Sequence, residues 1–199
     1  MVADRLGFRP VFFGYITALW AGFCCAAVLL GGCGSILEDE ELRAYLAPGV
    51  PVALTLSVPP VERETRQLMT ITHAEQRHAL ICLTALHGGI LHLSGLSIQG
   101  VRLFEADYDG STLKTKLHLP LSGLPDPAQV LLDIMLCLWP VEQLQPILPA
   151  GYRLSTRPDR RVLYDDRGDI LYDIAYTASG EISSLRQQRF GYSIDFQEL

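Results

Sequence analysis

The chain has 199 residues, with 22 Asp and Glu against 16 Lys and Arg for a formal net charge of −6, and 49% of its residues are hydrophobic. That is one domain's worth of sequence with enough apolar content for a sizeable core. The acidic balance argues against nucleic acid as a partner and against a basic patch gripping anionic lipid headgroups, so any lipid contact is expected to be apolar.

The first element is a greasy segment. "MVADRLGFRP" carries Arg5 and Arg9 with one acid, Asp4, and the following "VFFGYITALWAGFCCAAVLLGG", residues 11–32, has no charge. This is the layout of a secretory signal, and about twenty apolar residues would also serve as a retained transmembrane anchor. Its end, "LLGGCGS", resembles the lipobox of bacterial lipoproteins: Leu, two small residues, Cys. Gly31 departs from the more usual Ala or Ser. By this resemblance residues 1–32 are a lipoprotein signal peptide, cleaved between Gly32 and Cys33. The Cys33 thiol then takes a diacylglyceryl group and the new amino group an acyl chain such as palmitate. Several chains on one residue anchor stably where one alone does not. Gly34, where an Asp would favour retention in the inner membrane, implies an outer-membrane lipoprotein with its domain facing the periplasm. Processing removes Asp4, Arg5 and Arg9, which leaves 21 of the 22 acids, 14 of the 16 bases and a side-chain charge of −7. Cys24 and Cys25 read as hydrophobic filler. Cys82 and Cys137 lie in apolar runs; two separate buried thiols are expected, with a bridge the alternative in an oxidising compartment.

Residues 33–50 read as a lipidated tether and a short helix, capped by Asp39, with Leu42, Tyr45 and Leu46 on one side and Pro48, Gly49 and Pro51 ending it. Residues 51–199 read as the folded domain. A short strand is expected over 52–58. From there to Asp109 the pattern is β, broken by turns at Ala74 to Gln76, Gly88-Gly89, Ser97 to Gly100 and Asp109-Gly110. In "TLKTKLHL", Leu113, Thr115, Leu117 and Leu119 alternate with Lys114, Lys116 and His118, which predicts a half-buried strand.

"PDPAQVLLDIMLCLWP" carries the strongest helix signal. Asp126 can cap it, Pro127 suits the first helical position and Pro140 stops it. Only Gln129 and Asp133 are clearly polar, so the helix must be covered on nearly all sides. A second short turn of helix spans 141–144. The β pattern then returns, with turns at Asp166 to Gly168 and Ser179-Gly180. Tyr172, Ile174 and Tyr176 share one face, as do Phe190, Tyr192, Ile194 and Phe196. The fold class is therefore mainly β with α: a curved antiparallel sheet wrapped around a central apolar helix.

Three stretches are similar to a family of outer-membrane lipoproteins related to LolB, within the LolA/LolB superfamily. They are "LSIQGVRLFEADYDG" (96–110), "LPDPAQVLLDIMLCLWPVEQLQPILPAG" (124–151) and "RFGYSIDFQEL" (189–199). Some members are encoded beside fatty-acid-like and aryl polyene biosynthesis enzymes. The resemblance implies an incomplete antiparallel barrel, a half-barrel, enclosing an apolar cavity. LolB accepts lipoproteins from the carrier LolA and releases them into the outer membrane, and a protruding loop with a leucine just before a glycine is important to it. Here that place falls on Gln99, with Ile98 beside it. Ile98 and Gln99 therefore form a candidate membrane-facing turn, and the leucine's absence leaves the insertion step open.

The function expected is noncovalent binding of an acyl or polyene chain, or of a lipidated cargo, and help with its delivery at the outer membrane. Partners would be membrane lipid through acylated Cys33 and a LolA-like carrier or lipid-like cargo, with the protein a monomer and without cofactor or metal. Candidate cavity residues are Leu132, Met135, Leu136 and Trp139 on the helix, and Phe104, Tyr172, Tyr176, Tyr192 and Phe196 on strands; ordinary core packing is the alternative for each. A structural lipoprotein of an envelope assembly is the second reading. An enzyme is the third, but no G-x-S-x-G elbow exists. The histidines (73, 78, 87, 92 and 118) invite a metal reading but lack H-E-x-x-H spacing, and no strand supplies an obvious carboxylate ligand at a matching position. The Arg-Gly-Asp string in "YDDRGD" reads as a charged hairpin turn.

Overall fold

A computed structural model describes residues 42–118 and 126–199. The signal segment, Cys33, Asp39 and Leu119 lie outside the described residues. The fold is mixed α/β, dominated by an antiparallel sheet with two short helices. A two-stranded hairpin, β1 (Arg43–Ala47) and β2 (Val50–Ala53), precedes ten further strands. These are β3 (Arg63–His73), β4 (Gln76–His87), β5 (Ile90–Leu96), β6 (Arg102–Tyr108), β7 (Leu113–Leu117), β8 (Arg153–Arg157), β9 (Arg160–Tyr164), β10 (Ile170–Tyr176), β11 (Ile182–Gln187) and β12 (Tyr192–Glu198). They form one sheet in the order β7-β6-β5-β4-β3-β12-β11-β10-β9-β8. Two meanders thus meet where β3 pairs with β12, Tyr192 opposite His73 and Glu198 opposite Gln67. The helices α1 (Pro127–Leu138) and α2 (Val141–Leu144), with a 3-10 turn at Gln145–Ile147, lie between the meanders in sequence.

The expected turns hold β3 through β7 and β9 through β11 in hairpins, and a further turn at 188–191, outside the expectation, joins β11 to β12; Gly88, Gly100, Gly168 and Gly180 take the positive φ these turns demand. Four expectations are corrected. The short helix of the tether is instead β1, because Ala44 and Leu46 are buried while Arg43 and Tyr45 are exposed, a period of two, and Pro48-Gly49 turns the chain back into β2. The strand expected over 52–58 ends at Ala53; beyond it the backbone runs extended with Leu54, Leu56 and Val58 still pointing inward. Instead of a ladder, the buried Tyr108 hydroxyl serves this segment, accepting from the Leu56 N–H at 3.0 Å and facing the Leu54 and Leu56 carbonyls at 2.9 and 2.8 Å. Finally, β7 is not half-buried. Among the described residues it is an edge strand paired only with β6, and Leu117 is 65% exposed. Phe190 also falls in the turn before β12 rather than in the strand.

α1 is built as its sequence predicts at the start: the Asp126 carboxylate accepts from the Ala128 N–H at 2.8 Å and Pro127 occupies the first turn. Its other end has no basic residue of its own. Arg161 of β9, buried, donates to the Leu136 and Trp139 carbonyls at 2.7 and 2.9 Å, so the sheet supplies the positive charge that a helix C-terminus favours. Leu131, Leu132, Met135, Leu136 and Trp139 are fully buried along one side, and the Trp139 indole N–H donates to the Ser57 carbonyl at 2.9 Å. Cys82 and Cys137 are both buried free thiols, as expected. Among the described residues no helix is long and apolar enough to cross a membrane.

Candidate functional site

A cavity of about 540 Å³ lies between α1 and the middle of the sheet. One whole face of β3 lines it: Arg63, Thr65, Gln67, Met69, Ile71 and His73. At the rise of a strand this wall extends over roughly 33 Å. Met69 and Gln67, in the middle, are buried, whereas Arg63 and His73 at the ends reach solvent. β4 adds Leu80, Cys82 and Thr84, β5 Leu93 and β6 Phe104; β11 adds Ile182 and Leu185, and β12 Tyr192, Ile194 and Phe196. The helix presents Gln129, Val130, Asp133, Ile134, Cys137 and Leu138. Their spacing of one and three residues is a single helical stripe.

Of the expected cavity residues, Phe104, Tyr192 and Phe196 stand on this wall. Leu132, Met135, Leu136 and Trp139 do not: they form the opposite, fully buried side of α1. Tyr172 and Tyr176 are not on the wall either. Their hydroxyls hold the helix in place, Tyr172 accepting from the Gln129 side-chain amide at 3.0 Å and Tyr176 donating to the Cys137 carbonyl at 2.8 Å. Phe104 reaches its position because Gly95 stands opposite it on β5; a Cβ there would lie 2.2 Å from the ring.

Among the polar groups of the wall is one buried acid that sequence reasoning passed over. Asp133 is 4% exposed, and the Tyr192 hydroxyl lies 2.8 and 2.6 Å from its two carboxylate oxygens, with Tyr172 and Gln129 beside it. Burial raises the Asp133 pKa to about 7, against the pull of these hydrogen bonds. Burial, and then the Asp133 charge, push the Tyr192 hydroxyl up as well, so it stays a donor. Burial likewise raises Cys137. The signal that could have found Asp133 is its solitude, one acid inside eight apolar helical positions.

At the Arg63 end of the wall, Arg63 donates to Glu181 at 2.7 Å, both about one-third exposed. Elsewhere three histidines have carboxylate partners: His87 pairs with Glu62, His92 with Asp107 at 2.7 Å and His118 with Glu105 at 3.0 Å. These are cross-strand or loop pairs on the surface. Among the described residues no three His, Cys, Asp or Glu converge as metal ligands.

The turn between β5 and β6 is closed by the Gly100 N–H donating to the Ser97 carbonyl at 2.8 Å, while the Ser97 hydroxyl accepts from the Gln99 and Val101 N–H groups. It presents Ile98 at 60% and Val101 at 52% exposure, with Gln99 exposed between them.

A family model for a protein of unknown function, DUF3261, matches residues 64–199. The chain belongs to the DUF3261 family. The matched DUF3261 region runs from β3 to β12 and so holds almost the whole cavity wall; Tyr45 and Arg63, which also line it, precede the match. No curated protein matches the chain.

Proposed function

We propose that this DUF3261 protein is an outer-membrane lipoprotein, tethered through acylated Cys33, that holds a long apolar chain noncovalently and aids its transfer or insertion at the membrane. In this reading the sheet is a half-barrel of the LolA/LolB kind curved around α1. The observation that carries the proposal is the cavity itself. Its volume falls within the ~300–1,000 Å³ usual for small-molecule sites, and its long axis follows an extended strand. Apolar burial is worth about 0.8 kcal/mol per methylene before the cost of ordering the chain, so affinity needs no dedicated ion pair. Phe104, Ile134, Leu138 and Phe196 remain partly exposed on the wall, which suits a surface awaiting an apolar guest. Ile98 and Val101 would give the β5–β6 turn its membrane contact in place of the missing leucine. A LolA-like carrier or a lipid-like cargo would be the donor, and no bond is made or broken.

Native mass spectrometry of the membrane-extracted full-length protein tests this. The expected spectrum shows a chain beginning at acylated Cys33 and a retained long-chain adduct. An unprocessed, unacylated Cys33 would refute the anchor, and a protein that takes up no long-chain compound on incubation would refute the cargo.

A further inference from the structure

An acid kept inside an apolar wall is costly unless something uses it. The carboxylate of Asp133 offers about four acceptor positions. The Tyr192 hydroxyl faces both oxygens, and Tyr172 and Gln129, which bond to one another, also bond to the carboxylate, so three neighbours serve it and one position remains. Of the wall's basic side chains, Arg63 stands at one end of β3, and His73 stands at the other, opposite Tyr192. Next to Asp133 on the helix stripe are Gln129 and Cys137; a second carboxylate, Asp126, stands at the start of α1. A guest carrying a carboxylate or phosphate beside Asp133 would face a buried acid, with a second carboxylate, Asp126, at the start of the same helix. A guest carrying a hydroxyl would instead fill an acceptor position that the protein leaves open.

We propose that Asp133, set by Tyr192, is a polar subsite in the cavity wall that selects long apolar chains bearing an uncharged hydrogen-bond donor, a hydroxyl above all, over chains bearing an acceptor alone or a free carboxylate. This rests on the chain-binding reading and names the class of chain within it. The raised pKa of Asp133 follows from its burial, against the pull of these hydrogen bonds.

The test incubates the full-length protein with an equimolar mixture of hexadecanol, methyl hexadecanoate and hexadecanoate and reads relative adduct occupancy by native mass spectrometry. At pH 8, above the Asp133 pKa of about 7, a hydrogen bond to the charged acceptor predicts hexadecanol retained about tenfold over the ester. Asp133→Asn, nearly isosteric, lowers that ratio to about twofold or less. Tyr192→Phe leaves the carboxyl and removes its competing donor, so the ratio is kept or rises. Equal retention of all three compounds by the native protein overturns the subsite while the cavity reading stands. Retention of none overturns both. An Asp133→Asn protein that keeps the full ratio, or a Tyr192→Phe protein that loses it, overturns the assignment to this carboxyl.

Discussion

Replacing Asp133 by Asn makes a sharp energetic statement. The carboxyl has a pKa of about 7 in the folded chain against an ordinary 3.8. Between those values the folded state holds a proton that the unfolded state has released. Stability from this group is therefore complete below about pH 4, declines as pH rises through the folded pKa, and levels off above it. A shift of about three units at 1.36 kcal/mol each amounts to about 4 kcal/mol. The group is fully buried, so solvent does not discount the figure. Asn mimics the protonated acid at every pH. Urea unfolding of the full-length protein and the variant, followed by far-UV circular dichroism at pH 4, 6 and 8, gives the difference directly. The expected difference is under about 1 kcal/mol at pH 4 and about 4 kcal/mol in favour of the variant at pH 8. The lowered pKa values of Glu62, Glu105, Asp109 and Asp165 act with the opposite sign at low pH and cancel between the two proteins. A difference that stays constant with pH, or a variant that is less stable at pH 8, would refute the reasoning.

Three further outcomes are expected. Arg161→Met strips two carbonyls at the end of α1 of their buried donor and should cost about 2–4 kcal/mol in urea unfolding, with Arg161→Lys recovering part of the loss. Gly95→Ala forces the Phe104 ring off β5 and should cost about 1–3 kcal/mol, and the Gly95→Ala, Phe104→Ala double variant should be less impaired than the sum of its parts in a double-mutant cycle. Ile98→Asp should leave the thermal midpoint within about 2 °C while reducing release of a bound fluorescent fatty acid into phosphatidylcholine vesicles, since the side chain is exposed and makes no core contact.

Most of the architecture was legible because it is locally encoded. Gly88-Gly89, Asp109-Gly110 and Ser179-Gly180 force turns wherever they stand, and Asp126, Pro127 and Pro140 bound α1 whatever packs on it. β1 was not legible, because Leu42, Tyr45 and Leu46 satisfy a helical spacing as well as Ala44 and Leu46 satisfy alternation, and only the pairing with β2 decides. The strand faces of Phe104, Tyr192 and Phe196 followed from a period of two. The helix faces did not follow from anything local. α1 is apolar almost all round, so which stripe meets open space depends on β3 and β12 becoming neighbours, a contact between distant parts of the chain. Asp133 and Gln129 are the two marks that distinguish the cavity stripe, and both had been read simply as polar.

The β3–β12 pairing also sets an order of events in time. Residues 67–73 and 192–198 find each other only after everything between them has been made and delivered, and pairings of such long range are slow to form. Until then the first meander has an unpaired edge at β3, the strand whose inward face is one wall of the cavity. A chain crossing a membrane from its N-terminus would spend that interval with half a cavity and an open edge, a template for pairing with other chains. The two halves of the cavity wall, one on each meander, are thus joined only when β3 and β12 have paired.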